Sequence, residues 1–415
     1  MSDYDDDQGD FNQYVEYREV SWGTRIKQAV QGIVIGILSI TIAFGLIIWN
    51  EGSTILNQAA QQAISIPSDV PNNQDIGKLI ITSGVITSDE TLGDNLFIQP
   101  GEYIALAREV DMYSWVEKQT KETETNLGGS QDQKVTTTYY KTWVSVDKLD
   151  EKSIVISGNP INSNSQSFVY PEKHQNPTPN IKNAAYKVNA AKIGVFDVDM
   201  SSFSLPRAGS VKEAYGDVFT GYVQLPTPTQ LQVSEQNLIP KADVTNVGSY
   251  LYQGSGTLQT PNLGDLRMRY AVFPANIPVT VIGKLSENNK IVPYLDKNKR
   301  RLFRLFPGTE TNLLGRIQTE DHIFTWGLRF LSFLAMWIGL RLILEPINVV
   351  LDFIPIFGAI GRLTTGFSTM IVALMINIST IVIYHLTQNL LYLAIAVIIT
   401  FLLGNAIFGK RYQRR

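Results

Sequence analysis

AVQGIVIGILSITIAFGLIIW, residues 29–49, contains no charged side chain. About twenty such residues in a helix, rising 1.5 Å each, cover the roughly 30 Å hydrocarbon core of a bilayer. A cleaved leader is the competing reading, because Ala59 and Ala60 follow. The apolar core of a leader, however, is only about 7–15 residues long. Residues 29–49 therefore read as a first transmembrane helix, and the rest of the chain is organised around it.

Upstream, residues 1–28 begin acidic (Asp3, Asp5, Asp6, Asp7, Asp10) and end basic (Arg18, Arg25, Lys27). Residues 1–20 carry too little apolar surface to fold alone, so a mobile stretch is expected there, within a cytoplasmic tail over 1–28. Downstream, residues 50–322 change character to short β-branched and aromatic runs: KLIITSGVIT, EYIALAREVDMYSWVE, KVTTTYYKTWVSV, SIVIS, LRMRYAVF and PVTVIGKL. Gly, Asn, Pro and Asp clusters separate these runs, as between strands. LGGSQDQ (127–133) and SENNK (286–290) read as hairpin loops. Residues 158–180, rich in Asn, Ser and Pro, read as a long surface loop.

Past Asp321 the chain turns apolar again, over 323–344, 363–386 and 389–408, each near the length of a span. Between the first two of these, residues 345–362 are broken by Pro346, Asp352 and Pro355 and read as an interfacial or re-entrant segment. Residues 409–415 form a basic tail. The expected fold is a membrane protein with four transmembrane helices, one N-terminal and three C-terminal, plus a large β-rich α+β extracytoplasmic domain. Basic residues in short loops set orientation. Arg18, Arg25, Lys27, Arg341, Arg362, Lys410, Arg411, Arg414 and Arg415 fall on one side if there are four spans. Both termini are then cytoplasmic, with 50–322 across the membrane.

A net charge of −3 over 415 residues, with no basic concentration in the central region, offers no footprint for nucleic acid. The chain has no cysteine, which excludes disulfides, zinc–thiolate centres and thiol nucleophiles. Its three histidines, His174, His322 and His385, are scattered, and no HExxH, GxSxG or GKS/T motif is present. Gly254 and Gly256 give GSG without the helix that a phosphate loop requires. Asp197 and Asp199 share one face of a strand, yet two carboxylates alone read better as a solvated edge strand than as a cation site. No catalytic, cofactor or metal residue is assigned, and no cofactor is expected.

The apolar segments are more informative. Gly32, Gly36, Ser39 and Ala43 make a small-residue stripe suited to close helix packing, within the chain or between copies. Asn377, in the middle of a span, needs a hydrogen-bond partner on another helix or a cavity. Arg329 and Arg341, about 18 Å apart along a helix, read as interface anchors that snorkel outward. Tyr113, Trp115, Tyr139, Tyr140 and Trp143 are brought together by a hairpin and either fill a core or form an interaction face.

WNEG (49–52), REVDMYSWVE (108–117), YYKTWVS (139–145), GDLRMRY (264–270), TWGLRF (325–330) and LDFIPIF (351–357) resemble, in this order, the transmembrane protein 43 (LUMA) family. GKLIITSGVIT followed by the MYSWVE region is more weakly similar to membrane-anchored GIDE-type domains, but without RING-type cysteines no ligase activity carries over. The first resemblance implies a scaffold and not an enzyme, one that self-associates as a homo-oligomer in the lipid bilayer and organises other membrane or envelope proteins. Eukaryotic members reside in the endoplasmic reticulum and inner nuclear membrane and bind emerin and lamins. The family supplies no catalytic residues to transfer. Cysteine-free, Asn/Gln-rich composition would suit a bacterial inner membrane. The alternative is a transporter or channel component with a polar pathway through Asn377 and Arg341.

Overall fold

A computed structural model describes residues 12–52, 56–156, 158–204, 223–224, 229–234, 236–296 and 301–388. The chain divides into two compact units: Met1–Glu16, Ile55–Lys121 and Val135–Glu320 form the first, and Tyr17–Thr54, Glu122–Lys134 and Asp321–Arg415 the second. Each is built from a different hydrophobic pattern.

Among the described residues the two largest sheets lie mainly in the first unit. One is eight-stranded and includes β1 (Gln13–Val20), β5 (Gln131–Ser145) and β4 (Tyr103–Thr125), with Leu266–Pro274, Tyr250–Gln253 and Thr245–Val247 continuing outward from β4. Period-two alternation sets its faces. Val110, Met112 and Val116 of β4 and Leu266, Met268, Tyr270 and Val272 of its antiparallel neighbour are buried. Glu109, Asp111, Arg267 and Arg269 occupy the other face and pair across the strands, Asp111 with Arg267 at 3.0 Å and Glu109 with Arg269. The second sheet is seven-stranded and includes β2 (Ile64–Ser65) and β3 (Leu79–Thr87). Its order runs β3, Ala191–Ile193, Phe196–Val198, Lys290–Val292, Pro278–Ser286 and back to β3, so five strands close a ring. Ile193, Phe196, Val279, Val281, Leu285, Ile291 and Phe303 fill its core. Each such side chain contributes about 1.5–3 kcal/mol by leaving water.

The second unit contains α1 (Trp22–Glu51), most of α3 (Glu310–Leu351) and α4 (Pro355–Gln388). Ser21 caps α1, its Oγ accepting from the Thr24 N–H at 3.4 Å. A short helix α2 (Leu56–Ala60) and the start of α3 belong to the first unit, where Leu313 and Ile317 pack with Leu56, Ile81, Ile282 and Leu302. Among the described residues, three helices are long and apolar enough to cross a membrane. Val34, Ile356 and Leu363 on them are more than two-thirds exposed, the apolar perimeter expected of helices solvated by lipid.

Four expectations are corrected. Residues 13–20 are not part of a mobile tail: QYVEYREV alternates in the strand period and joins the eight-stranded sheet. Within 345–362, α3 runs through Pro346 to Leu351 and α4 starts at Pro355, with a break over 352–354. Residues 158–180 are more than a surface loop, since Ile161, Phe168 and His174 are buried there. Phe196–Val198 is an inner strand and not an edge, because it is flanked on both sides. Finally, 50–322 do not form one body: the hairpin tip Glu122–Lys134 belongs with the helices. The proposed fourth span, 389–408, and the basic tail, 409–415, lie outside the described residues.

Candidate functional site

Helix α1 meets α3 along its small residues. A Cβ on Gly36 would stand 2.7 Å from the Gly339 carbonyl oxygen, and one on Gly339 would stand 2.8 Å from that of Gly36. Both glycines are there for close approach. Gly32 faces Leu342, the Ser39 hydroxyl donates to the Ala335 carbonyl at 2.7 Å, and Ala43 packs with Met336 and Ala373. The stripe of Gly32, Gly36, Ser39 and Ala43 is thus occupied by the chain's own helix. Asn377 of α4 closes the same core: Ser332 Oγ lies 3.0 Å from its Oδ1 and 2.8 Å from the Ala43 carbonyl, and its Nδ2 donates to Ala373 at 3.2 Å. Ser332 therefore bridges all three helices at a buried point.

Each end of this bundle carries one buried carboxylate held by two side chains, an arginine and a histidine at one end and two arginines at the other. At the first end, Glu51 of α1 accepts from Arg329 Nε and Nη2 at 2.7 and 2.9 Å and meets His385 Nε2 at 2.9 Å. Asn50 adds a bond to the Thr325 carbonyl at 3.3 Å. WNEG and TWGLRF are distant in sequence, but here they interlock residue by residue. The bidentate pairing holds Arg329 inward against Glu51. Arg341 is exposed, with its guanidinium 5.8 Å over the Trp337 ring. It lies about 16 Å along α3 from Asp352, part-way down the bundle and away from either charged end.

At the other end Asp352, wholly buried, receives Arg25 of α1 and Arg362 of α4. The remaining Arg25 Nη1 donates to the Gly129 carbonyl at 2.5 Å. Gly129 has φ +80°, and a Cβ there would fall 2.3 Å from the Trp22 ring, so only glycine fits. The Gly128 N–H donates to the Phe353 carbonyl at 3.0 Å and Trp22 Nε1 to Val349 at 2.9 Å. A cavity of about 420 Å³ opens beside the cluster, lined by Arg25, Arg362, Glu345 and parts of the hairpin tip.

In the first unit the aromatic group divides. Tyr139 is buried: its hydroxyl donates to Glu117 Oε2 at 2.6 Å, and its ring stacks on His174 at 3.9 Å and meets Tyr14 of β1 edge-on. Tyr140, on the opposite face of β5, packs against the sheet core. Tyr113, Trp115 and Trp143 remain half-exposed, with Arg267 over Trp143 and Lys141 over Trp115 at 4.7 and 4.5 Å. His174 has Tyr170 O and Asn12 Oδ1 as its ring-nitrogen partners, neither a serine nor a carboxylate. His322 is exposed on α3.

Two further carboxylates are held internally. Asp265 accepts the N–H groups of Ser255, Gly256 and Asn262 and the Tyr252 hydroxyl, so the GSG loop cradles an anion that the chain itself provides. Asp94 accepts the N–H groups of Phe97 and Ile98, Arg108 Nη1 at 2.6 Å and the Tyr270 hydroxyl. Burial alone would raise both carboxyls, but these donors outweigh it and hold each below the ordinary carboxylate range. The Tyr270 phenol is pushed up by burial and by Asp94. Asp197 faces Lys192 and Asp199 faces Ser201, Ser202 and Lys290; among the described residues no three metal-ligating side chains gather.

Sequence reasoning missed Glu51, Asp352 and Asp94 because each has at least one partner far off in the chain, Arg329, Arg25 and Tyr270 respectively. The signal available was a lone carboxylate inside a motif otherwise apolar or aromatic.

Comparison with known proteins points the same way. The Transmembrane protein 43 family profile matches residues 112–389. Transmembrane protein 43 of Rattus norvegicus is 25% identical over 353 residues, covering 80% of this chain and 78% of its own length. The Homo sapiens protein is 24% identical over the same extent. The Drosophila melanogaster homolog is 25% identical over 342 residues, covering 77% of this chain and 81% of its own. No solved structure matches. With Glu51, Arg329, Asp352 and Glu117 of the resembling motifs placed as structural partners, this chain belongs to the transmembrane protein 43 family.

Proposed function

We propose that this membrane protein is a non-enzymatic scaffold: the helices anchor and self-associate, and the β-rich unit offers a binding surface to other membrane-associated proteins. The observation that carries this reading is how its motif residues are used. Glu51, Arg329, Asp352, Glu117 and Asp265 are all engaged in internal ion pairs and hydrogen bonds that tie elements together. Asn377, which a transport pathway would need, is held between Ser332 and Ala373. A half-exposed face combining Trp143, Tyr113 and Arg267 has the aromatic and arginine character that carries binding energy at protein interfaces.

Crosslinking with mass spectrometry from native membranes, comparing the intact chain with Trp143→Ala and Arg267→Ala, tests the division of labour. Loss of heterologous partners with self-crosslinks preserved is the expected result. Unchanged partners in both variants would remove the β-rich face from the account. Ion or solute flux from liposomes reconstituted with the chain, abolished by Asn377→Leu, would replace the scaffold reading with a pathway.

A further inference from the structure

The cavity at the Asp352 end has an uneven distribution of charge that the scaffold reading does not use. Asp352 is sealed by Arg25 and Arg362, so two guanidiniums meet one carboxylate and a unit of positive charge is left over. Arg362 reaches Asp352 through Nη1. A guanidinium carries five N–H donors in a fork, so the remaining edge of Arg362 is available to the cavity that it lines. Glu345 also lines the cavity, half-buried, its Oε2 accepting from Asn348 Nδ2 at 3.1 Å and with no cation in ion-pair range among the described residues. The wall therefore presents a positive edge and a negative edge, neutral in sum.

The rest of the lining is divided between an apolar stretch on α1 and α3 and uncharged polar side chains. Ala29, Gly32, Leu342 and Val349 continue the lining from the Arg25 turn along α1 and α3. Arg25 to Gly32 is about two helical turns, or roughly 10 Å. A volume of about 420 Å³ falls in the range of small-ligand sites. From the hairpin tip, Thr125 and Gln131 add hydroxyl and amide groups over the polar part.

From these features we infer that the cavity holds the headgroup of a zwitterionic glycerophospholipid bearing a phosphate and a primary ammonium, the phosphoethanolamine class. Phosphate matches the free edge of Arg362 beside Arg25, because arginine binds phosphate oxygens through paired, charge-assisted N–H bonds. The ammonium matches Glu345. The glycerol and the first acyl carbons lie along Ala29, Gly32 and Leu342. A net-anionic headgroup would satisfy the arginines but leave Glu345 without a cation and next to excess negative charge, which selects against it. This assignment does not depend on the scaffold reading.

Native mass spectrometry of the full chain in mild detergent tests the inference, titrated separately with phosphatidylethanolamine, phosphatidylglycerol and water-soluble glycerophosphoethanolamine. One phosphatidylethanolamine should bind with about tenfold preference over phosphatidylglycerol, the size expected of one well-placed charge pair. Glu345→Gln should abolish the preference while both lipids still bind, and Arg362→Gln should weaken both. Gln28→Trp, at an exposed position of α1 that lines the cavity, fills it and leaves every charge and the α1–α3 packing in place; it should remove lipid binding and so keeps the test valid if a charge variant fails to fold. Equal binding of the two lipids by the unaltered chain, or a preference that survives Glu345→Gln, overturns the assignment. Competition by the soluble headgroup at equal concentration overturns the lipid as its source.

Discussion

Glu51 and Asp352 are carboxylates held at opposite ends of one bundle, the first by an arginine and a histidine and the second by two arginines, and their surroundings differ. Glu51 is bound by Arg329 and by a His385 that is more than half exposed, so water reaches one side of the cluster. Asp352 is wholly enclosed, with Arg25 also buried, and the hairpin tip covers it through Gly128 and Gly129. The first end is a clamp between helix termini that solvent can partly screen. At the second, neither charge can be removed without stranding the other in a medium of low dielectric. The difference separates a joint from a built site.

Asp352→Asn should therefore have the largest effect, a loss of about 3–5 kcal/mol because two guanidiniums are left without their anion; thermal unfolding of the detergent-solubilised chain measures it. Asp94 is the comparison within the first unit. Its folded pKa is depressed, so its stabilisation is complete above the unfolded value, near 3.9, and is lost as pH falls through the lower folded value. Unfolding midpoints should fall as pH drops below about 4, and less so in Asp94→Asn. Glu51→Gln should cost less than Asp352→Asn, about 1.5–3 kcal/mol, the range for hydrogen bonds to charged groups. Equal losses at the two ends would erase the contrast drawn here. Gly129→Ala, strained at φ +80° and pressed against Trp22, should cost about 1–2 kcal/mol and loosen the hairpin tip. Because the chain lacks cysteine, faster labelling of a single Ser130→Cys, half-buried in the same tip, reads the loosening directly. Ser332→Ala should have the smallest effect, about 0.6 kcal/mol and at most about 1.7, as for other interhelical bonds in membranes.

What the sequence disclosed depended on the range of each interaction. The uncharged run 29–49 and the hairpin loops at Gly128–Gly129 and Asn288–Asn289 are local signals, and the structure has α1 and strand pairs there. β1 was hidden because its charges, Glu16, Arg18 and Glu19, resemble a solvated tail, although Tyr14, Val15 and Tyr17 carry strand-type side chains. The bundle ends were not legible at all. Arg25 meets Asp352 from 327 positions away and Arg329 meets Glu51 from 278, distances that no local periodicity encodes. Tyr139 illustrates the intermediate case. Its strand was evident, but whether it faced solvent depended on Tyr14, Phe168 and His174 arriving to cover it.

β1 also imposes an order on assembly. Its partner β5 begins 118 residues later, with α1 intervening. At roughly 5–20 residues per second of synthesis, the ribosome needs on the order of 6–24 s to deliver the strand that β1 must join. During that interval β1 is an unpaired strand edge, held next to a helix already seeking the bilayer.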